Sequence, residues 1–176
     1  MSKKTLISHL RNIPDYPMKG VQFKDVTSWF MNPDDFTEIV DSLYEMYKDK
    51  GITKVCGVES RGFIIGAALA YRLGAGFILI RKPGKLPYEK VDIEYKKEYG
   101  FDRIEMHKDS IQPGQKVVLV DDLIATGGTM EAAAKLVEKL GGEVVKMLFL
   151  MELEGLEGRK KLAKYDVASV VSYPGK

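Results

Sequence analysis

The residues most able to do chemistry are concentrated in Val117-Val-Leu-Val-Asp-Asp-Leu-Ile-Ala-Thr-Gly-Gly-Thr129. An apolar run with the composition of a strand delivers two adjacent carboxylates, Asp121 and Asp122, to its carboxyl edge. A small-residue loop and the start of a helix follow. Gly127 and Gly128 can adopt positive φ and let backbone N–H groups come close to an anion. The N-terminus of the helix adds positive partial charge, and the hydroxyls of Thr126 and Thr129 are further donors. These parts make a cradle for a phosphate monoester. Carboxylates inside such a cradle would repel the phosphate. Just before it, they lie one sugar-length away and can accept hydrogen bonds from a ribose 2′,3′-diol. A lone Gly-Gly-Thr would read as a bend in the chain, whereas the whole run reads as a ribose 5-phosphate site.

A second strand-to-helix loop, Glu59-Ser60-Arg61-Gly62, repeats that geometry. Its amides can meet anionic oxygens and Arg61 adds a planar cation, although a surface ion pair is the other use for such an arginine. Arg81, Lys82, Lys85, Lys90, Lys96 and Lys97 stand against Glu89, Asp92 and Glu94 in one stretch, which composition alone reads as a solvated loop. Two rival phosphate motifs fail. There is no Gly-x4-Gly-Lys-Ser/Thr loop, and Gly74-Ala-Gly76 follows a helix rather than a strand.

The elements that must position these loops are legible in the pattern. Asn32 as cap, Pro33 in the first turn, and Asp34 and Asp35 against the dipole open a helix over 32–50. Its apolar residues, from Phe36 to Tyr47, repeat at helical spacing. Strands are predicted at Lys54–Glu59, Phe77–Arg81, Lys116–Val120, Val144–Met151 and Val167–Val171. Further helices are predicted at Phe63–Leu73 and Met130–Leu140, closed by Gly74 and by Gly141-Gly142. Val-, Ile- and Leu-rich strands alternating with helices predict an α/β fold: a central, mostly parallel sheet covered by helices on both faces, with ligands beyond its carboxyl edge. Residues 1–31, with Pro14 and Pro17, fall outside the alternation as a small flap, and residues 82–107 read as a projecting hairpin around Gly100.

At 176 residues the chain fits one domain with its own core. A net charge of +2 excludes an electrostatic case for nucleic acid. The lone Cys56 lies in an apolar run, and His9 and His107 are the only histidines, so a zinc site or a Ser/His/Asp triad lacks material. The Met-Ser-Lys-Lys-Thr-Leu start carries no apolar stretch of signal or membrane length, which reads as a cytoplasmic protein without membrane contact.

Val117–Thr129 resembles the phosphoribosyl-pyrophosphate motif of the type I phosphoribosyltransferases, and the Asp-Asp form followed by Ala-Thr-Gly-Gly-Thr resembles the adenine phosphoribosyltransferases most closely. Tyr16-Pro-x-x-Gly-Val-x-Phe23-Lys-Asp25, Glu59-Ser-Arg-Gly-Phe63, Arg81-Lys-Pro-Gly-Lys-Leu-Pro87 and Glu98-Tyr99-Gly100 resemble that family's other signatures in the same order. The resemblance implies transfer of the phosphoribosyl group of 5-phosphoribosyl-1-pyrophosphate to adenine, giving AMP and pyrophosphate in purine salvage. It implies a hood at 1–31 over the base and a catalytic loop at 82–107. Mg²⁺ would arrive on the substrate rather than in an all-protein cage.

Sugar-phosphate contacts are implied at Asp121, Asp122, Ala125, Thr126, Gly127, Gly128 and Thr129. Pyrophosphate contacts are implied at Ser60, Arg61 and Lys82, with Glu59–Ser60 cis. Arg81 is implied near the interface of a homodimer, and Lys85 is a weaker pyrophosphate candidate, a solvated loop lysine being the usual finding. Glu98 is implied to exchange a proton with the purine, with Tyr99 closing beside it. By residue type alone Glu98 is one more solvated charge. Phe23 can stack on the base, and backbone groups around Gln22 and Lys24 would read adenine's edge. Many relatives carry Arg in place of Lys24. Leu123 can line the base pocket, and core packing accounts for Leu123 and Phe23 equally. Two other readings use the same fold. A 6-oxopurine enzyme usually shows Glu-Asp in place of Asp121-Asp122, and a regulator sensing phosphoribosyl pyrophosphate usually adds a DNA-binding domain.

Overall fold

The computed structural model describes residues 3–97 and 100–174. The chain runs α1 (Lys3–His9), β1 (Arg11–Pro14), β2 (Gln22–Asp25), α2 (Thr27–Met31), α3 (Pro33–Tyr47), β3 (Lys54–Val58), α4 (Gly62–Leu73) and β4 (Gly76–Ile80). It continues with β5 (Lys90–Lys96), β6 (Phe101–His107), β7 (Lys116–Ile124), α5 (Gly128–Lys139), β8 (Glu143–Leu153), α6 (Gly158–Lys161) and β9 (Val167–Tyr173). The five-stranded sheet has the order β4-β3-β7-β8-β9, and every pair in it is parallel. The antiparallel pairs, β1–β2 and β5–β6, lie outside it.

The strands are apolar on both sides because both sides are covered. Along β7, Val117 and Leu119 enter one core with Cys56, Ile80, Phe149 and the inner face of α5. Val118 and Val120 enter the other with Trp29, Ile39, Leu43, Ile65 and Leu69 from α2, α3 and α4. The β5–β6 pair adds Ile104 and Met106 to the α5 side. Full burial of one such side chain contributes about 1.5–3 kcal/mol.

Local chemistry sets the ends of the helices. Asn32 Oδ1 accepts from the amides of Asp34 at 3.0 Å and Asp35 at 3.2 Å, which opens α3. Gly74, at φ 64°, closes α4. Asp35 is fully buried, and both of its oxygens meet His9 Nδ1 at 2.9 Å, so α1 is pinned to α3.

Candidate active site

The carboxyl ends of β3, β4 and β7 lie side by side, and each runs directly into a loop from the sequence analysis. β7 extends four residues past the predicted end at Val120. Asp121 pairs with Phe149, Leu123 with Met151 and Ile124 with Glu152, so β8 holds the acidic pair inside the ladder rather than at its edge. Both carboxylates turn toward the start of α4: Asp121 Oδ1 lies 3.2 Å from where a Gly62 Cβ would stand, and Asp122 meets Arg61. Asp121 borders a compact cavity of about 90 Å³ lined by Ala125, Thr126, Gly127, Gly128 and Thr129. Asp122 borders a cavity of about 370 Å³ lined by Gln22, Phe23, Lys24 and Leu123. Both also line a central cleft of about 310 Å³ with Ser60, Arg61, Arg81 and Lys82.

Close backbone packing places the loops. Gly62 starts α4 where any Cβ would lie 2.7 Å from Val120 O and 3.2 Å from Asp121 Cα, so α4 can press its N-terminus against the acidic pair. Gly127 sits at φ 79°, which turns the chain from β7 into α5. Gly158 of α6 backs this turn, because a Cβ there would lie 2.3 Å from Ala125 O.

Charge is matched around the cleft. Asp122 is 8 % exposed and takes the Nε–H of Arg61. Asp121 is partly exposed and accepts from the Asp122 amide at 2.9 Å. Burial first, and then the charge of Asp122, push the Asp121 carboxyl well above its ordinary value. Glu59 receives Arg81 Nε at 3.2 Å, the Lys82 amide at 3.0 Å and the Lys85 ammonium. Burial opposes ionisation of Glu59, and these donors outweigh it and hold its carboxyl at about 2. The Glu59–Ser60 peptide is cis.

In the hood, Gln22 Oε1 accepts from Asn12 at 2.7 Å and the Lys24 ammonium lies 5.1 Å from the centre of the Tyr173 ring. Phe23 packs edge-to-face on Tyr16 at 5.2 Å and, half-buried, keeps part of its ring in the larger cavity. Leu123 lines all three cavities. The candidates Glu98 and Tyr99 lie outside the described residues.

The phosphoribosyl transferase domain family matches residues 31–172. An adenine phosphoribosyltransferase from Agathobacter rectalis is 57 % identical over 98 % of this chain and 99 % of its own length. The crystal structure of adenine phosphoribosyltransferase from Thermoanaerobacter pseudethanolicus superposes with a TM-score of 0.94, at 47 % identity, covering 98 % of this chain and 100 % of that one. The Saccharomyces cerevisiae adenine phosphoribosyltransferase, complexed with adenine and an imino-altritol bisphosphate, gives a TM-score of 0.90 at 40 % identity, covering 96 % and 98 %. The chain belongs to the adenine phosphoribosyltransferase family.

Seen as an adenine phosphoribosyltransferase site, the cleft holds residues that sequence reasoning missed. Asp102 takes the ammonium groups of Lys82 and Lys97, and Tyr95 Oη donates to it at 3.1 Å. Burial opposes these partners, which nonetheless hold its carboxyl well below the usual range. Tyr95 Oη also lies 3.1 Å from Thr129 Oγ1, tying the hairpin to the loop between β7 and α5. The alternation Val91, Ile93, Tyr95 could have placed Tyr95 inward, since all three pack on the same core. Nothing in the sequence pointed to Asp102, which reads as one more loop charge until β5 and β6 pair Tyr95 with it. Met151, Leu153 and Leu156, which complete the hood cavity, were likewise missed.

Proposed function

We propose that this chain transfers the 5-phosphoribosyl group from 5-phosphoribosyl-1-pyrophosphate to adenine, with AMP and pyrophosphate as products. The observation that carries the reading is the contact of three cavities through Asp121, Asp122 and Leu123. A phosphate cradle, a cation-lined cleft and a hooded apolar pocket thus meet around one carboxylate pair. That is the layout of a ribose with a phosphate, a leaving pyrophosphate and an incoming base at its three corners.

The chain's part in the chemistry is positioning and charge stabilisation. Asp121 and Asp122 hold the ribose diol, and the amides and hydroxyls from Ala125 to Thr129 hold the 5′-phosphate. Ser60, Arg61 and Lys82 receive pyrophosphate as its bond to C1′ breaks and the bond from the base nitrogen forms. Mg²⁺ carried by phosphoribosyl pyrophosphate would neutralise charge on that leaving group, and the paired Asp121 and Asp122 carboxylates supply oxygen donors of the kind it takes. Phe23 stacks on adenine. Since the Gln22 side chain is bonded to Asn12, backbone groups around Gln22 and Lys24 read the base: a carbonyl accepts from the 6-amino group and an amide donates to N1. Hypoxanthine inverts that pattern and leaves buried groups unpaired. The Glu-Tyr-Gly match assigns Glu98 to proton exchange with the purine, beside Tyr99, and Glu98→Gln lowers kcat far more than it changes either KM.

The same reading makes the protein a cytoplasmic homodimer with Arg81 near the partner and with no nucleic-acid partner. Among the described residues no helix is long and apolar enough to cross a membrane. Exposed Ile64 and Tyr71 on α4 and Leu79 on the edge strand β4 support a subunit contact there. The test of function is nucleotide formation from phosphoribosyl pyrophosphate and Mg²⁺ with adenine, hypoxanthine, guanine, uracil and orotate in turn. AMP from adenine alone is the expected result. IMP or GMP instead would overturn the base assignment, and binding without turnover would leave a sensor.

A further inference from the structure

Lys97 is the cation of the cleft that no motif assigns. It stands just past β5 and Lys82 two residues past β4, yet both ammonium groups meet one atom, Asp102 Oδ2. Tyr95 Oη donates to the same oxygen at 3.1 Å, whereas among the described residues Oδ1 takes the adjacent Arg103 amide at 2.9 Å. Three donors on one anionic oxygen, two of them charged, are what a phosphate oxygen requires. Both lysines line the central cleft, so an anion bound there reaches the donors that Asp102 engages.

We propose that Lys97 is a second pyrophosphate ligand, held beside Lys82 by Asp102, and that a pyrophosphate oxygen exchanges with Asp102 Oδ2 for these donors. The inference rests on reading the cleft as the pyrophosphate subsite. The chemistry favours exchange because an ammonium is a compact charge with three rotatable donors, so each lysine can turn from carboxylate to phosphate without moving its backbone. Asp102 keeps the two cations together when no ligand separates their repulsion, and it competes with the anion for them. Since Lys97 belongs to the hairpin and Lys82 to the sheet edge, an anion held by both joins the hairpin to the sheet.

The two residues touch, yet the proposal gives them opposite effects, whereas a merely structural ion pair would give both variants the same sign. Inorganic pyrophosphate with Mg²⁺ is titrated calorimetrically into the full chain, with AMP as a second probe that leaves the pyrophosphate subsite untouched. Lys97→Met weakens pyrophosphate about tenfold or more, through loss of a charge-assisted bond, and weakens AMP by less, although Lys97 also borders a cavity shared with Ala125, Thr126 and Thr129. Asp102→Asn tightens pyrophosphate about threefold or more. Glu94→Gln makes the same charge change on the exposed side of the hairpin, where Glu94 pairs with Arg103 at 3.4 Å, and has a smaller effect. Unchanged pyrophosphate binding by Lys97→Met overturns the inference. Weakening by Asp102→Asn, or equal tightening by Glu94→Gln, does so too. Failure of the unmodified chain to bind pyrophosphate would instead overturn the reading of the cleft itself.

Discussion

Asp121 and Glu59 are both carboxylates at the carboxyl edge of one sheet, and their surroundings push them in opposite directions. Asp121 loses solvent and faces Asp122, so its ionised form is disfavoured in the folded chain. Stability is therefore withdrawn as pH rises above the ordinary value of 3.8 toward the raised folded one. Asp121→Asn accordingly raises the thermal unfolding midpoint near neutral pH while lowering turnover. The gain shrinks as the buffer is acidified toward 3.8, which thermal scans across a pH series would follow. Glu59 is the converse. Its carboxyl is held at about 2 against an ordinary 4.5, so its contribution is complete above 4.5 and is lost as pH falls toward 2. Glu59→Gln costs roughly 1–3 kcal/mol at neutral pH, since it takes the negative charge from Arg81 and Lys85 and turns one of the two acceptor oxygens into a donor amide. Urea unfolding at neutral and acid pH would show that difference narrowing over the same window.

Between elements, the Ala125–Thr129 loop depends on a partner far away in sequence. α6 presents Gly158 to the carbonyl of Ala125, and an added Cβ would also stand 2.8 Å from Ile124 Cγ1. Backbone cannot yield as a flexible side chain can, so Gly158→Ala displaces the loop that β7 delivers. A loss of roughly 1–3 kcal/mol in stability is expected from overpacking of this kind. A raised KM for phosphoribosyl pyrophosphate with little change in KM for adenine would locate the damage in the cradle. Steady-state kinetics beside chemical denaturation separates the two effects. Arg159 anchors α6 from its other side, with its Nε 2.7 and 2.8 Å from the two oxygens of Glu152 and its Nη1 2.7 Å from Val167 O.

At the scale of the molecule, one outer strand of the sheet adjoins the cleft, and β6 bridges the chain just past its end, from Glu105 to Arg81. β4 is an outer strand of the sheet, and Leu79 on it is 37 % exposed beside an α4 face bearing Ile64 at 44 % and Tyr71 at 87 %. Such a patch loses water when a second copy covers it, and Arg81 follows directly on β4. For the homodimer proposed above, Tyr71→Glu combined with Leu79→Glu is expected to shift the mass from dimer toward monomer in light scattering coupled to gel filtration. A single dimeric mass for both proteins would move the interface elsewhere.

The sequence by itself determined the alternation of strands and helices, the two strand-to-helix loops and the residue types that line the loop after β7. Each of these is local: apolar period, capping chemistry and glycine placement act within a few residues. Only the tertiary structure decided how far β7 runs, because pairing with β8 rather than composition carries the strand through Asp121 and Asp122. It also decided which cations share which carboxylates. Glu59 meets residues 22 to 26 positions away, Arg61 meets Asp122 across 61, and Lys82 meets Asp102 across 20. Ion pairing is set by distance in space, and a charged residue in a polar loop carries no local mark of the partner that folding brings to it.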